Sequence, residues 1–177
     1  MPYLVTGVVL ASALGILNLL LSLAVIRRLR EHTELLAAAG DEPGIIAAGQ
    51  VPGEFTATDL DGGRLRRVDL TGEVLVGFFS TNCPACTEAL PRFVTWAAAF
   101  PGGRRQVLAV VSSDEPTGGG LSATLTGVAR VIVEEPDGAL ATAFRATASP
   151  GWCILDATGA VRDSGTGVRR LPAPVAA

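Results

Sequence analysis

The chain has 177 residues, enough for one ordinary domain and an appendage, and 49% of them are apolar, which suffices for a packed core. The net charge is −3 and all 14 basic residues are arginines; nothing in this balance predicts nucleic-acid binding, which requires a clustered basic surface. Three cysteines and one histidine are too few for a disulfide-stapled scaffold or a Cys/His metal cluster, so we predict neither a metal nor a cofactor.

Residues 4–26 form an almost uninterrupted apolar run that ends at Arg27, Arg28 and Arg30. At about 1.5 Å per residue, a helix over this run would span about 34 Å, enough to cross a hydrocarbon core of about 30 Å. We therefore predict a membrane-spanning helix in contact with lipid. A cleaved signal peptide would carry its basic residues before the apolar run, and a buried helix of a soluble protein would not be apolar on all faces.

The apolar run and the positions of the segments rich in Gly, Pro and Ala predict four regions in the chain. Residues 1–40 would form the membrane anchor and a juxtamembrane helix. Residues 41–52, rich in Gly, Pro and Ala, would form a linker. The globular domain would occupy residues 53–167, followed by a frayed tail at 168–177 that contains two prolines.

Apolar runs separated by Gly, Pro and Asp predict short strands and helices within the domain. In chain order these are strands 54–59, 63–68 and 74–80, helix 84–100 with Pro91 inside it, strand 106–112, loop 116–120, strand 129–133, helix 137–146, and strands 152–155 and 160–164. Alternating strands and helices followed by a hairpin are typical of an α/β domain with a mixed central sheet flanked by helices.

Cys83 and Cys86 form a Cys-x-x-Cys pair directly after the strand at 74–80. Such a pair is either half of a zinc site or a redox dithiol. A zinc site needs two further ligands, for which only Cys153 and His32 remain. A structural disulfide would close a very small loop and remove little entropy from the unfolded chain. We therefore interpret the pair as a dithiol kept for exchange.

The position of this pair at the start of a helix supports that interpretation. Pro84 occupies the first helical position, where proline is favoured, so Cys83 lies at the helix N-terminus. The free N–H groups and the helix dipole there favour a thiolate. Cys86, one turn further, is expected to be more buried and to resolve the mixed disulfide that Cys83 forms. The uncharged Pro84-Ala85 pair between them favours a reductase or an intermediate redox potential.

Residues 53–167 resemble the thioredoxin-like fold, in particular the membrane-anchored thiol–disulfide oxidoreductases of the TlpA/ResA type. The anchor with its trailing arginines also resembles the MauD-type accessory proteins. The resemblance to the fold is carried by four segments, GEFTATDLDGGRLRRVDLTGEVLVGFFST, NCPACTEALP, VIVEEPDGALATAF and ASPGWCILDATGAV.

This resemblance implies a redox disulfide between Cys83 and Cys86. It also implies that Pro150, after Ser149, is a cis-proline that faces the dithiol, presents a backbone edge to an incoming peptide and keeps metals from the cysteines. Asn82, Pro84, Ala85 and Ser149 would then be the neighbours of the reactive pair.

The sequence departs from the family pattern at several positions. Gly77 stands where thioredoxins carry a buried acid, so the proton acceptor for Cys86 is unassigned. Asn82 stands where many relatives have Trp. Cys153 is interpreted as a buried apolar residue, with an auxiliary thiol as the alternative.

The function implied by the resemblance is a membrane-tethered thiol–disulfide oxidoreductase, a reductase or maturation factor that exchanges disulfides with client proteins and is recycled by a redox partner protein. The alternatives are a non-catalytic assembly factor and a peroxiredoxin-like peroxidase. The peroxidase is disfavoured because Val76 stands where it needs Pro. The resemblance places the domain on the outer face of the cell membrane, whereas the arginines at 27, 28 and 30 favour the cytoplasm under the positive-inside rule.

Overall fold

A computed structural model describes residue 15 and residues 44–167. The elements of this part are β1 (Thr56–Thr58), β2 (Arg64–Arg66), β3 (Val74–Ser80), α1 (Pro84–Ala98), β4 (Val107–Ser112), α2 (Gly119–Leu125), β5 (Arg130–Glu134), α3 (Ala139–Ala143), β6 (Gly151–Leu155) and β7 (Val161–Thr166), with 3-10 helices at Arg67–Asp69 and Gly103–Gln106. Apart from residue 15, the predicted membrane helix and juxtamembrane helix lie outside the described residues, as does the tail at 168–177. Within the described residues no helix is both long and apolar enough to span a bilayer.

Five strands form a mixed sheet in the order β5-β4-β3-β6-β7, and β1 and β2 form a separate antiparallel hairpin. Strands β3, β4 and β5 are parallel, whereas β6 is antiparallel to β3 and β7 is antiparallel to β6. The carboxyl ends of the three parallel strands therefore meet the amino end of β6 at one edge. The predicted α/β class with a mixed sheet is confirmed, and this edge is where the cysteine pair lies.

The central strands are buried on both faces, which explains their uninterrupted apolar sequences VLVGFFS and VLAVVS. Alternate side chains enter two separate cores. Leu75 and Phe79 of β3 pack with α1, whereas Val76 and Phe78 pack with the hairpin and the residues around Phe144. Aromatic edge-to-face contacts extend through the first core, including Phe79 with Phe93 and Trp96 with Trp152.

Helix α2 was not expected, and the predicted loop at 116–120 is wrong in its second half. The three glycines at 118–120 predict a loop, because glycine has a low intrinsic helix propensity. Two of them, Gly118 and Gly119, have positive φ angles of 64° and 59°. The helix is held by Leu121 and Leu125, which lie one turn apart and are both buried.

The packed core also extends into residues 44–52, the segment predicted as a linker. Ile45 and Ile46 are 1% and 2% exposed, and the Ile46 N–H donates a 2.7 Å hydrogen bond to the Phe144 carbonyl. This segment has no strand or helix, so it has no hydrophobic periodicity from which its burial could be predicted. The two isoleucines supply apolar surface to the core formed by β1, β2 and α3.

Candidate functional site

Cys83 is the N-cap residue of α1, with Pro84 at the first helical position as predicted. Its backbone is extended, and its Sγ accepts a 3.2 Å hydrogen bond from the Cys86 N–H. An N-cap side chain normally accepts such a bond from the first turn. A sulfur in this position lies at the positive end of the helix dipole. Cys83 is half-buried, so its sulfur is open to a reaction partner.

The second contact of Cys83 comes from the loop before β6. The Cys83 thiol donates to the Ser149 carbonyl at 3.4 Å. The Ser149–Pro150 peptide bond is cis, the conformation that the family resemblance implies. Because β6 pairs with β3, with Gly151 opposite Phe78, the loop and the helix start lie at one edge of the sheet. The structure thus brings together Cys83, Ser149 and Pro150 although they are far apart in sequence.

Cys86 lies one helical turn behind Cys83 and is fully buried. Its Sγ accepts the Ser80 N–H at 3.5 Å. Burial raises the pKa of Cys86 to about 12, and its hydrogen bond with Cys83 acts in the same direction, whereas the Ser80 N–H lowers the pKa. The two thiols therefore differ as their positions in the sequence predict, with an accessible sulfur in front and a neutral, buried thiol behind it.

The strand position beneath the helix has no side chain. A Cβ added to Gly77 would lie 2.6 Å from both Cε2 and Cζ of Phe93, well inside van der Waals contact. The Phe93 ring also packs edge-to-face on Phe79, with ring centroids 4.9 Å apart. An aromatic ring therefore fills the space next to the position where the family pattern has a carboxylate.

The residues around the reactive pair form a small exposed surface. Asn82, Pro84 and Ala85 are all exposed. The Asn82 N–H donates a 3.3 Å hydrogen bond to the Ser80 hydroxyl, which fixes the chain just before Cys83. The predicted neighbours of the pair thus surround Cys83 on the solvent side.

Two clefts flank this surface and were not predicted from the sequence. One, of about 340 Å³, is lined by Cys83 and Ser149 together with Glu134 and Asp137. The other, of about 610 Å³, lies beside Asn82 and is lined by residues of α1, α2 and the segment after β4, including Asp114 and Glu115. The signal that could have identified these carboxylates is their position, because each ends or follows a parallel strand whose carboxyl end lies at the edge occupied by Cys83.

The third cysteine lies away from this site. Cys153 is fully buried in β6 opposite Val76, and it belongs to the core on the other face of the sheet from Cys86. Burial raises the pKa of the Cys153 thiol. Among the described residues, no group of three or more His, Cys, Asp or Glu side chains could hold a metal ion, and His32 lies outside that part of the chain.

The sheet order, the cysteine pair at the start of α1 and the cis-proline opposite define a thioredoxin-like domain. The chain belongs to the AhpC/TSA family, whose model matches residues 48–164. No curated protein sequence matches this chain.

Several solved structures share the fold. The thioredoxin domain of a thiol-disulfide oxidoreductase from Bacteroides vulgatus has a TM-score of 0.55 at 17% identity, covering 69% of this chain and 90% of that one. A thiol:disulfide interchange protein from a Bacteroides species has a TM-score of 0.54 at 17% identity, covering 67% and 81%. A thio-disulfide isomerase from Thermus thermophilus has a TM-score of 0.51 at 18% identity, covering 69% and 87%.

Proposed function

We propose that this protein is a thiol–disulfide oxidoreductase that exchanges disulfides with client proteins through Cys83 and Cys86. The observation that carries the proposal is the contrast between the two sulfurs. Cys83 is half-buried and caps a helix, whereas Cys86 is fully buried one turn behind it, with its N–H 3.2 Å from the Cys83 sulfur. A nucleophile in front of a resolving thiol is the arrangement that disulfide exchange requires.

In the first step the Cys83 thiolate attacks one sulfur of a client disulfide. A bond forms between Cys83 and that sulfur, and the client S–S bond breaks. The electron pair of the broken bond leaves on the second client sulfur, which takes up a proton. The Cys86 N–H and the N-terminus of α1 stabilise the attacking thiolate.

In the second step Cys86 loses its proton and attacks the Cys83 sulfur of the mixed disulfide. The Cys83–Cys86 disulfide forms, and the remaining client sulfur leaves as a thiolate and is protonated. The client has gained two electrons and the dithiol has lost two. A redox partner protein with a dithiol of its own would return the pair to the reduced state.

Ser149 and Pro150 have a positioning role in this proposal. The Ser149 carbonyl lies 3.4 Å from the Cys83 sulfur. Both residues line the cleft of about 340 Å³. A client strand running past Pro150 would place its cysteine against Cys83. Because Pro150 has no N–H, it forms no competing backbone hydrogen bond from that position, and the backbone beside it would be free to bind the client strand.

Reduction of insulin by the full chain in detergent micelles, with dithiothreitol as the reductant, tests the activity. We expect catalysed reduction that Cys83→Ser abolishes. Cys153→Ala is the matched control, because it removes a thiol remote from the site and should retain the activity. A rate equal to background in the unaltered chain, or no loss in Cys83→Ser, would instead favour a non-catalytic assembly factor.

The client can be identified with Cys86→Ala, which removes the resolving thiol. The mixed disulfide on Cys83 should then accumulate and be recovered under non-reducing conditions. The double variant Cys83→Ser/Cys86→Ala is the control. Species captured equally by both variants would not be bound through Cys83.

We also propose that residues 4–26 tether the domain to the cell membrane through lipid contact, with the domain on the outer face. The length and apolarity of the run support the tether, and disulfide exchange in an oxidising compartment supports the outer face. Labelling of Cys83 in whole cells by a membrane-impermeant thiol reagent tests the orientation. Labelling only after lysis would assign the domain to the cytoplasm, as the arginines at 27, 28 and 30 favour.

A further inference from the structure

The sulfur of Cys86 lies in an apolar environment. Cys86 is 0% exposed and belongs to the core between α1 and the sheet. In this core, α1, β3 and β6 contribute large aliphatic and aromatic side chains: Leu75, Phe79, Leu90, Phe93, Trp96, Trp152 and Ile154. The one buried carboxylate among the described residues, that of Asp59, is paired with Arg130 at the amino end of β5, the sheet edge opposite to Cys83.

The polar atoms in hydrogen-bond contact with the Cys86 thiol cannot accept its proton in the mixed disulfide. The Ser80 N–H, 3.5 Å from the sulfur, is a donor. Within the described residues, Cys83 is the one titratable group whose charge acts on Cys86. Once Cys83 is bonded to a client sulfur, it no longer carries a charge or a basic lone pair suited to take a proton.

The strand beneath the helix is closed to a polar group as well. Gly77 lies on the face of β3 that meets α1, and the Phe93 ring occupies the space that its side chain would need. Phe79, two residues along on the same face, packs against that ring. The two phenylalanines thus fill this region of the core with apolar surface.

We propose that residues 44–167 contain no proton acceptor for Cys86, so that ionisation of Cys86 limits the resolving step and the mixed disulfide between Cys83 and a client persists at neutral pH. This inference rests on the proposed function and adds to it a rate-limiting step. The domain would hold its client covalently for longer than it takes to capture it. Catalysis and holding of a client would then be two phases of one reaction.

The proton and electron balance of the resolving step follows from this environment. The Cys86 proton passes to water before the attack, and the client sulfur that leaves as a thiolate takes up a proton from water. The Cys86 thiolate forms the bond to Cys83, and the electron pair of the mixed disulfide departs with the client. The raised pKa of Cys86, caused first by its burial, agrees with this geometry.

The first test measures the resolving step in the unaltered full chain, held in non-ionic detergent micelles. The neutral disulfide 4,4′-dithiodipyridine releases one thiopyridone when Cys83 attacks and a second when Cys86 resolves the mixed disulfide. We expect the second phase to accelerate about tenfold per pH unit between about pH 6 and about pH 9 without levelling, because the thiolate is the nucleophile. A plateau below about pH 8 would overturn the inference.

The same traces separate this inference from the proposed function. A first release that persists in Cys83→Ser would contradict the role of Cys83 in the proposed function. A first release that depends on Cys83, followed by a second that levels near neutral pH, would contradict only the inference about Cys86. Loss of the second phase in Cys86→Ala assigns that phase to Cys86.

The second test supplies a base to the core. The double variant Gly77→Asp/Phe93→Ala adds a carboxylate and removes the nearer of the two rings that a side chain at position 77 would meet, leaving Phe79 Cε2 2.9 Å from the added Cβ. Gly77→Asn/Phe93→Ala is its control of nearly the same shape. We expect the second phase to be at least about tenfold faster at neutral pH in the Asp variant. Equal rates in two folded variants would overturn the inference. If circular dichroism shows either variant unfolded, the pH profile of the unaltered chain decides.

Discussion

At the residue scale, the site depends on the different environments of two cysteines three positions apart, since Cys83 is half-buried and Cys86 is fully buried. Both were predicted from spacing and from Pro84, and the helix start agrees with that prediction. The sequence could not reveal that the Phe93 ring abuts Gly77, because that contact joins a helix to a strand sixteen residues earlier. Local signals such as caps can be inferred from neighbouring residues, whereas contacts between elements depend on packing.

The buried thiols predict that stability falls in alkali. The pKa of Cys86 is raised from 9.0 to about 12 and that of Cys153 is also raised, in both cases because of burial. Above about pH 9 the unfolded chain therefore releases protons that the folded chain retains. The free energy of unfolding should be unaffected by these groups below about pH 8 and should fall by up to about 1.4 kcal/mol per pH unit per thiol above about pH 9.

Urea unfolding of the full chain at several pH values measures this decline. Cys153→Ala is the comparison, because it removes one of the two contributing thiols while leaving the site intact. The variant should lose less stability than the unaltered chain over the same alkaline range. An equal decline in both chains would show that the Cys153 thiol is not protected by the fold.

At the scale of elements, strands β3 and β4 and helix α1 could be predicted because their signals are local and strong. Two uninterrupted apolar runs gave the strands, and a proline at the first helical position gave the start of the helix. Helix α2 could not be predicted, since it has only seven residues, begins with Gly119 and Gly120, and is preceded by Gly118. The burial of Ile45 and Ile46 in the segment at 44–52 could not be predicted for a different reason, because this segment belongs to no helix or strand and has no hydrophobic periodicity.

The contribution of this segment to the core can be measured with a matched pair of substitutions. Ile45→Ala should lower the free energy of unfolding by about 2–5 kcal/mol, the usual range for truncating a buried isoleucine. Val51→Ala, in the same segment but at a side chain that is 53% exposed, should change it by about 0.5 kcal/mol or less. Thermal unfolding of the full chain gives both values, and equal effects would mean that Ile45 does not belong to the folding unit.

At the scale of the whole described domain, the two edges of the sheet differ in how their charges are paired, because at the amino ends of the parallel strands Arg104 pairs with Asp61 and Arg130 pairs with Asp59. Arg104 and Arg105 lie just before β4 and Arg130 begins β5, at the amino ends of the parallel strands. Asp114 and Glu115 follow β4, Glu134 is the last residue of β5, and Glu135 and Asp137 follow β5, all at the carboxyl ends. Cys83 follows β3 at that same edge, and the cleft that it lines is also lined by Glu134 and Asp137. Neither cleft beside it is lined by an arginine of the described residues.

This pattern follows from sequence and topology together. The strand positions were predicted closely enough to place each charged residue near a strand end. The parallel pairing of β3, β4 and β5 is what brings Asp114, Glu115 and the carboxylates at 134, 135 and 137 to one edge. The clefts themselves depend on how α2 packs, and no local signal predicted that helix.

The acidic edge predicts a preference for cationic disulfides. Cystamine should react with the reduced chain about tenfold faster than the dianion of dithiodiglycolic acid at low ionic strength, after each rate is divided by that of the same disulfide with dithiothreitol. The ratio should approach one in high salt, because exposed charges are screened beyond a Debye length of about 3 Å at 1 M salt.

Single neutralisations locate the charges responsible. Asp114→Asn and Glu115→Gln, at exposed positions that line the larger cleft, should each lower the cationic preference by about twofold. Asp163→Asn is the matched control, because it removes one exposed carboxylate on β7 that lines neither cleft. A preference that is insensitive to salt, or that falls equally in all three variants, would contradict steering by the edge around Cys83. Because steering acts on the encounter and not on resolution, the effect should appear in the release caused by Cys83 and leave the release caused by Cys86 unchanged.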